Sequence, residues 1–152
     1  MGWRFVSAAA DLCQTLGYHR ARPVRDGEHD LRSAQTRLFW VVYRMEKGLS
    51  LRLARPSNIH DSEITLPPDP SEPRFVRQAK IQGKVYAQLY SPTGLARRDK
   101  ERGEVAEQLA VELRGLIGQT HAEILVSMLS LDCSARASRL QRLVGLREQI
   151  WH

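Results

Sequence analysis

The chain has 152 residues, 42% of them hydrophobic, and a formal net charge of +6. That length suits one domain able to bury roughly two thirds of its unfolded surface, and no apolar run approaches the roughly 18 residues that a membrane-spanning helix needs. Cys13 and Cys133 stand alone, which argues against a disulfide scaffold and against a cysteine-rich metal site.

The first ten residues include Arg4 and lack the sustained apolar core of a secretory signal, so an intracellular protein is expected. Residues 3–16 predict a helix with Trp3, Val6, Ala10, Cys13 and Leu16 on one face. Phe5, Ala9 and Leu12 extend that face, and Gly17 stands where a C-terminal cap belongs. Cys13 is expected to act as a small buried hydrophobe. His19 has no second histidine three or four residues away and no adjacent acid, so it is expected to pack behind the helix end, not to catalyse or bind metal. The charged, Pro- and Gly-containing stretch 20–32 predicts a surface loop, with Asp30 or Ser33 capping the next helix.

The stretch from Arg37 to Pro67 organises the rest. Leu38, Val42, Met45 and Leu49 form a stripe at helical spacing, with Arg37, Arg44 and Lys47 off it. Phe39, Trp40, Val41 and Tyr43 widen the stripe beyond what a surface helix requires, so a central helix is expected, and truncating Trp40 to alanine should cost about 3–5 kcal/mol. Pro56 ends it, and Ser57, Asn58 and Asp61 predict an ordered loop over 56–62. Asp61 and Glu63 lack the pocket and nucleophile that an acid–base pair needs, and are expected as solvated carboxylates facing Arg52 or Arg55.

The four prolines at 67, 68, 70 and 73 predict an extended linker over 66–73. A helix follows over 74–91, with Ile81, Val85 and Leu89 on its apolar face and Ser91-Pro92 as its stop. Gly83 in mid-helix implies the close approach of another helix. A fourth helix is expected over 98–117 around Val105, Leu109, Leu113 and Leu116, and two more amphipathic segments over 119–131 and 135–151. The fold class is therefore all-α, an irregular multi-helix bundle. No Gly-rich phosphate loop, nucleophile elbow or metal-spaced His/Asp/Glu set is present, so neither catalytic nor metal-binding residues are expected. The basic residues, mostly arginine, are scattered over polar helix faces and gathered in no block that would grip nucleic acid.

The run RLFWVVYRMEKGLSLRLARPSNI, followed by Asp61, Glu63, Ile64 and Leu66-Pro67, resembles the signature of the fungal-specific transcription factor domain, the middle homology region of fungal zinc-cluster regulators. Phe39, Trp40, Tyr43, Ser50, Arg55, Pro56, Ile59, Asp61 and Ile64 match it. The family carries aspartate at position 46, arginine at 47, glycine at 54 and a second aspartate at 63, so Glu46, Lys47, Ala54 and Glu63 depart from it. If the family's glycine sits at positive φ, Ala54 is strained. Upstream, Trp3, Ala9, Leu16, Gly17, His19 and Arg20 fall in step with a second family segment, and Tyr86, Leu89, Tyr90 and Ser91 with a third. The resemblance covers roughly residues 3–117. It implies a partial regulatory domain over 1–118, incomplete relative to the whole family domain, with a divergent helical tail over 119–152.

The same resemblance implies a nuclear role in regulating transcription. DNA contact belongs to an N-terminal cluster of six cysteines holding two zinc ions, which this chain lacks, so no cofactor is expected in it and DNA is reached only through that missing domain. A small-molecule effector bound among the helices is an implied partner, with Phe39, Trp40 and Tyr43 as candidates to line its cavity. The alternative is a truncated helical interaction module that binds protein partners, or itself, through exposed apolar helix faces.

Overall fold

Helix α2, His29–Arg52, runs through the middle of the fold, with α1 (Gly2–Thr15) and α3 (Arg74–Val85) packed against it. The computed structural model describes residues 2–25, 27–67 and 72–149, with side chains as far as residue 127. A single 3-10 turn, Asp61–Glu63, interrupts the loop after α2. A π-helical turn, Tyr86–Tyr90, follows α3, and then come the short α4 (Pro92–Leu95) and the long α5 (Asp99–Gln149). No strand occurs among the described residues, so the all-α expectation holds.

The core explains why α2 is central. Phe39, Val42 and Tyr43 on α2 are buried against Ala10 and Cys13 of α1, Ala79 of α3 and Ile59 of the loop. The flanking helices present small side chains, which leaves room between backbones for two fully buried aromatic rings. Trp40 is half-buried at the edge, with its ring edge-on to Tyr43 at 5.4 Å and tilted against Phe39 at 5.0 Å. The largest cost of truncation therefore moves from Trp40 to Phe39 and Tyr43, the residues with no exposed surface.

The buried face of α2 keeps Val42 from the expected stripe but is centred one residue later. Phe39, Tyr43, Glu46 and Ser50 repeat the four, three, four spacing and are buried, while Leu38 and Met45 are exposed. Lys47, expected off the stripe, is buried as well. On α1, Val6, Ala10 and Cys13 are buried as expected, but Phe5 and Leu12, and Leu16 just past its end, are exposed, so the apolar face is wider than the surface that covers it. The Cys13 thiol is pushed up in pKa by burial, which keeps it protonated and inert.

Both ends of the α1–α2 pair close with the same device. At the end of α1, Tyr18 N–H bonds the Cys13 carbonyl and Gly17 N–H the Gln14 carbonyl, with Gly17 at φ +69°. At the end of α2, Arg55 N–H bonds the Ser50 carbonyl and Ala54 N–H the Leu51 carbonyl, with Ala54 at φ +51°. These are paired Schellman closures, and the second places alanine where glycine is favoured. The strain anticipated at Ala54 is thus present.

Other boundaries shift. α2 starts at His29, within the stretch expected as loop, so Asp30 lies in its first turn and Ser33 accepts a hydrogen bond from Arg37 Nη1 at 2.7 Å instead of capping. The acid at the positive end of the helix dipole supports that earlier start. The helix expected over 74–91 turns π-helical at Tyr86, and Ser91 then caps α4 by accepting from Gly94 N–H at 3.0 Å. Gly94 is required there: a Cβ would fall 2.6 Å from the Gln88 carbonyl oxygen.

Helix α5 is continuous where three helical segments were expected. With no proline beyond Pro92, Gly118 interrupts nothing, because a mid-helix glycine costs only about 1 kcal/mol relative to alanine. The chain divides into two compact units, Met1–Leu113 and Arg114–His152. In the first, Leu109 is buried and Glu112 pairs with Lys84 of α3 at 2.7 Å. In the second, the described backbone is helical, with the Thr120 hydroxyl donating to the Leu116 carbonyl at 2.8 Å.

Candidate functional site

The loop leaving α2 is held by two adjacent ionic side chains. Glu46 is fully buried and accepts from both sides of the turn: Asn58 N–H to Oε1 and the Ser57 hydroxyl to Oε2, each at 2.7 Å. Lys47 is 4% exposed, and its ammonium donates to the Ile59 carbonyl at 2.6 Å, to Ser57 Oγ at 2.9 Å and to Asp61 Oδ1 at 3.0 Å. Three donors meet three acceptors, which is the full capacity of an ammonium group. Such saturation is what makes a buried charge tolerable, since an unpaired one costs several kcal/mol.

Neighbouring groups close the cluster. The Tyr43 hydroxyl donates to the same Asp61 Oδ1 at 3.0 Å, and its ring lies 5.2 Å from the Lys47 ammonium. Burial, reinforced by the Asp61 charge, pushes the Tyr43 pKa far up, so it remains a donor at any physiological pH. The Ser50 hydroxyl donates to the Arg55 carbonyl and ties the helix end to the turn. Gly83 of α3 provides the space: a Cβ there would sit 3.2 Å from Lys47 Cδ. The close approach expected at Gly83 is real, and it is made by the lysine side chain.

Asp61 and Glu63 therefore do not face Arg52 or Arg55 as expected. Asp61 belongs to the Lys47 cluster, and Glu63 lies 3.9 Å from Arg20, both side chains more than half exposed, a contact that contributes little. Arg55 instead places its guanidinium 5.9 Å over the Trp3 ring. The two sequence segments that carry the strongest resemblance are thus laced together. Gln14 Nε2 donates to the Asn58 carbonyl at 3.3 Å, Thr65 N–H to the His19 carbonyl at 3.1 Å, and Ala21 N–H to Thr65 Oγ1 at 3.0 Å.

His19 is buried beside Phe39, ring centroids 6.1 Å apart, and its Nε2 accepts from Arg20 Nε at 3.1 Å. An accepting ring nitrogen requires the neutral imidazole. Burial lowers its pKa, the Arg20 charge lowers it further, and the Cys13 backbone and Glu63 offset part of that. Gly17, Pro56 and Ile59 serve backbone shape and packing, and only Ile59 of the three belongs to the buried core.

A separate groove of about 880 Å³ opens beside the first half of α2. Arg22, Arg32 and Arg37 line it together with Trp40, Val41 and Phe75. Of the three residues offered as cavity-lining, only Trp40 reaches this space, since Phe39 and Tyr43 are enclosed in the core. Neither the Glu46–Lys47 cluster nor the arginine groove was anticipated. The available signal was the loop's own polar set, Ser57, Asn58 and Asp61, which matches the two buried charges on α2. Among the described residues no group of three or more His, Cys, Asp or Glu could hold a metal ion, and no helix is long and apolar enough to cross a membrane.

The chain is similar to the transcription factor oryO of Aspergillus oryzae, 27% identical over 116 residues, covering 70% of this chain and 14% of that protein. The chain thus spans about one seventh of the length of that curated relative. No solved structure matches. The family model described as the fungal specific transcription factor domain matches residues 1–132, past the point near residue 118 where recognisable motifs thin out. On that match the chain belongs to the fungal specific transcription factor domain family, which supports a role in the regulation of transcription.

Proposed function

We propose that this chain is a regulatory segment of a fungal transcription factor that does not itself contact DNA, working in the nucleus as part of a protein whose DNA contact is a six-cysteine zinc cluster. The observation that carries the reading is the fate of the signature's cations. Lys47 is consumed by Ser57, Ile59 and Asp61, Arg55 lies on Trp3, and Arg20 is turned toward His19 and Glu63. These three signature cations make their contacts within the fold, so the motif presents no dedicated grip for phosphates. The chain's two cysteines fall short of a binuclear zinc cluster.

The reading is tested on two fronts. In a gel shift the chain alone is expected to bind duplex weakly, without sequence preference, and to release it as salt rises. Tethered to an unrelated DNA-binding domain, it is expected to change transcription from a reporter, and Lys47→Met to abolish that change. Salt-resistant, sequence-selective binding by the isolated chain would overturn the proposal.

A further inference from the structure

The groove beside α2 has a charge imbalance that the fold does not resolve. Arg32 is 8% exposed; its Nη2 donates to the Arg20 carbonyl, but its Nη1 is shut off from water and has no acceptor. Burial, and after it the charge of Arg22, lower the Arg32 pKa; Arg22 donates to Gln35 Oε1 at 3.4 Å, and its carboxylate neighbour, Glu28, is 3.8 Å away, beyond hydrogen-bonding distance. Two guanidinium groups therefore stand together, one buried, with a bonding site unfilled. Guanidinium stays protonated, so it cannot escape the cost by losing its charge. Both lie by the first turns of α2, the end of the helix dipole that favours negative charge. Glu72, the carboxylate among the lining residues described, is bound to Lys80 at 2.6 Å.

The other end of the groove is apolar. Trp40 and Val41 follow Arg32 by about two turns, roughly 12 Å along the helix, and Phe75 of α3 faces the same space. Its volume falls within the range of ordinary small-molecule sites. We propose that this groove binds an amphipathic organic acid, its carboxylate held by Arg32 and Arg22 and its aliphatic or aryl body lying over Trp40, Val41 and Phe75. Planar carboxylates match the forked donors of arginine, which a compact inorganic anion would use without touching the apolar half. The inference rests on the regulatory reading for its purpose and not for its chemistry.

Titration calorimetry and thermal melts of the whole chain with octanoate and with 3-phenylpropionate test it. Both acids are expected to bind and raise the melting temperature, octanamide and inorganic phosphate to do neither. Arg32→Gln is expected to weaken binding by about tenfold or more. Because that variant also loses the bond to the Arg20 carbonyl, Thr36→Trp supplies a second route: it fills the groove from α2 and is expected to abolish binding while the chain still melts cooperatively. Binding that survives both substitutions, equal binding of the amide, or no binding of either acid would overturn the site. Acids that bind while the tethered reporter stays silent would leave the site standing and count against the regulatory reading.

Discussion

His19 shows how one residue can bind the fold to pH. Its ring is neutral because it is buried behind α1 and accepts from Arg20. Its folded pKa lies below the ordinary value of 6.5, so the unfolded chain takes up the proton more readily. The stability this group contributes is fully present above pH 6.5 and is lost as pH falls toward the folded pKa. Melting temperature is therefore expected to decline from pH 7 to pH 5.5, ahead of the range where carboxylates titrate, and His19→Gln is expected to flatten that decline. An unchanged slope in the variant would contradict the assignment. Arg32 poses the converse case, a buried cation that cannot shed its proton and must find an acceptor.

Among the elements, α2 carries the account, and its ends and stripe were legible in the sequence to different degrees. Pro56 announces the exit, and glycine is the family's residue where Ala54 now closes the helix at φ +51°. An L-residue in that conformation costs about 1–2 kcal/mol. Ala54→Gly is thus expected to stabilise the chain by about 1 kcal/mol once glycine's extra freedom in the unfolded state is deducted, visible as a rise of a few degrees in melting temperature. A fall would mean that the turn has relaxed around alanine. Of the expected stripe Val42 is buried but Leu38 and Met45 are exposed, because an aliphatic spacing, Leu38 to Leu49, competes with an aromatic and polar one, Phe39 to Ser50, and hydrophobicity alone favours the former. What decides is the partner: α1 and α3 offer small faces to the two rings, and the loop offers Ser57, Asn58 and Asp61 to the two charges. None of these partners is within one turn of α2 in the sequence. The groove was illegible for the same reason, since Arg22, Arg32 and Phe75 meet only after folding.

At the scale of the molecule, the all-helical class and the order of helices followed from periodicity and prolines, whereas the continuity of α5 through Gly118 did not. The first unit coheres because one loop serves as a hub: it is bonded to α2 by Glu46 and Lys47, to α1 by Gln14, and to the chain after α1 through Thr65. Gly83 on α3 makes room for the lysine at its centre. Remove the ammonium and Asp61, the Ile59 carbonyl and the Tyr43 hydroxyl lose the group that arranges them. Urea unfolding of Lys47→Met beside the natural chain is the direct measure of this hub. A loss of about 1–3 kcal/mol is expected, the cost of leaving the acceptors around a buried ammonium unsatisfied, because Asp61 itself is half-exposed and can return to water. A change within about 0.5 kcal/mol, the size expected for a surface lysine, would contradict it.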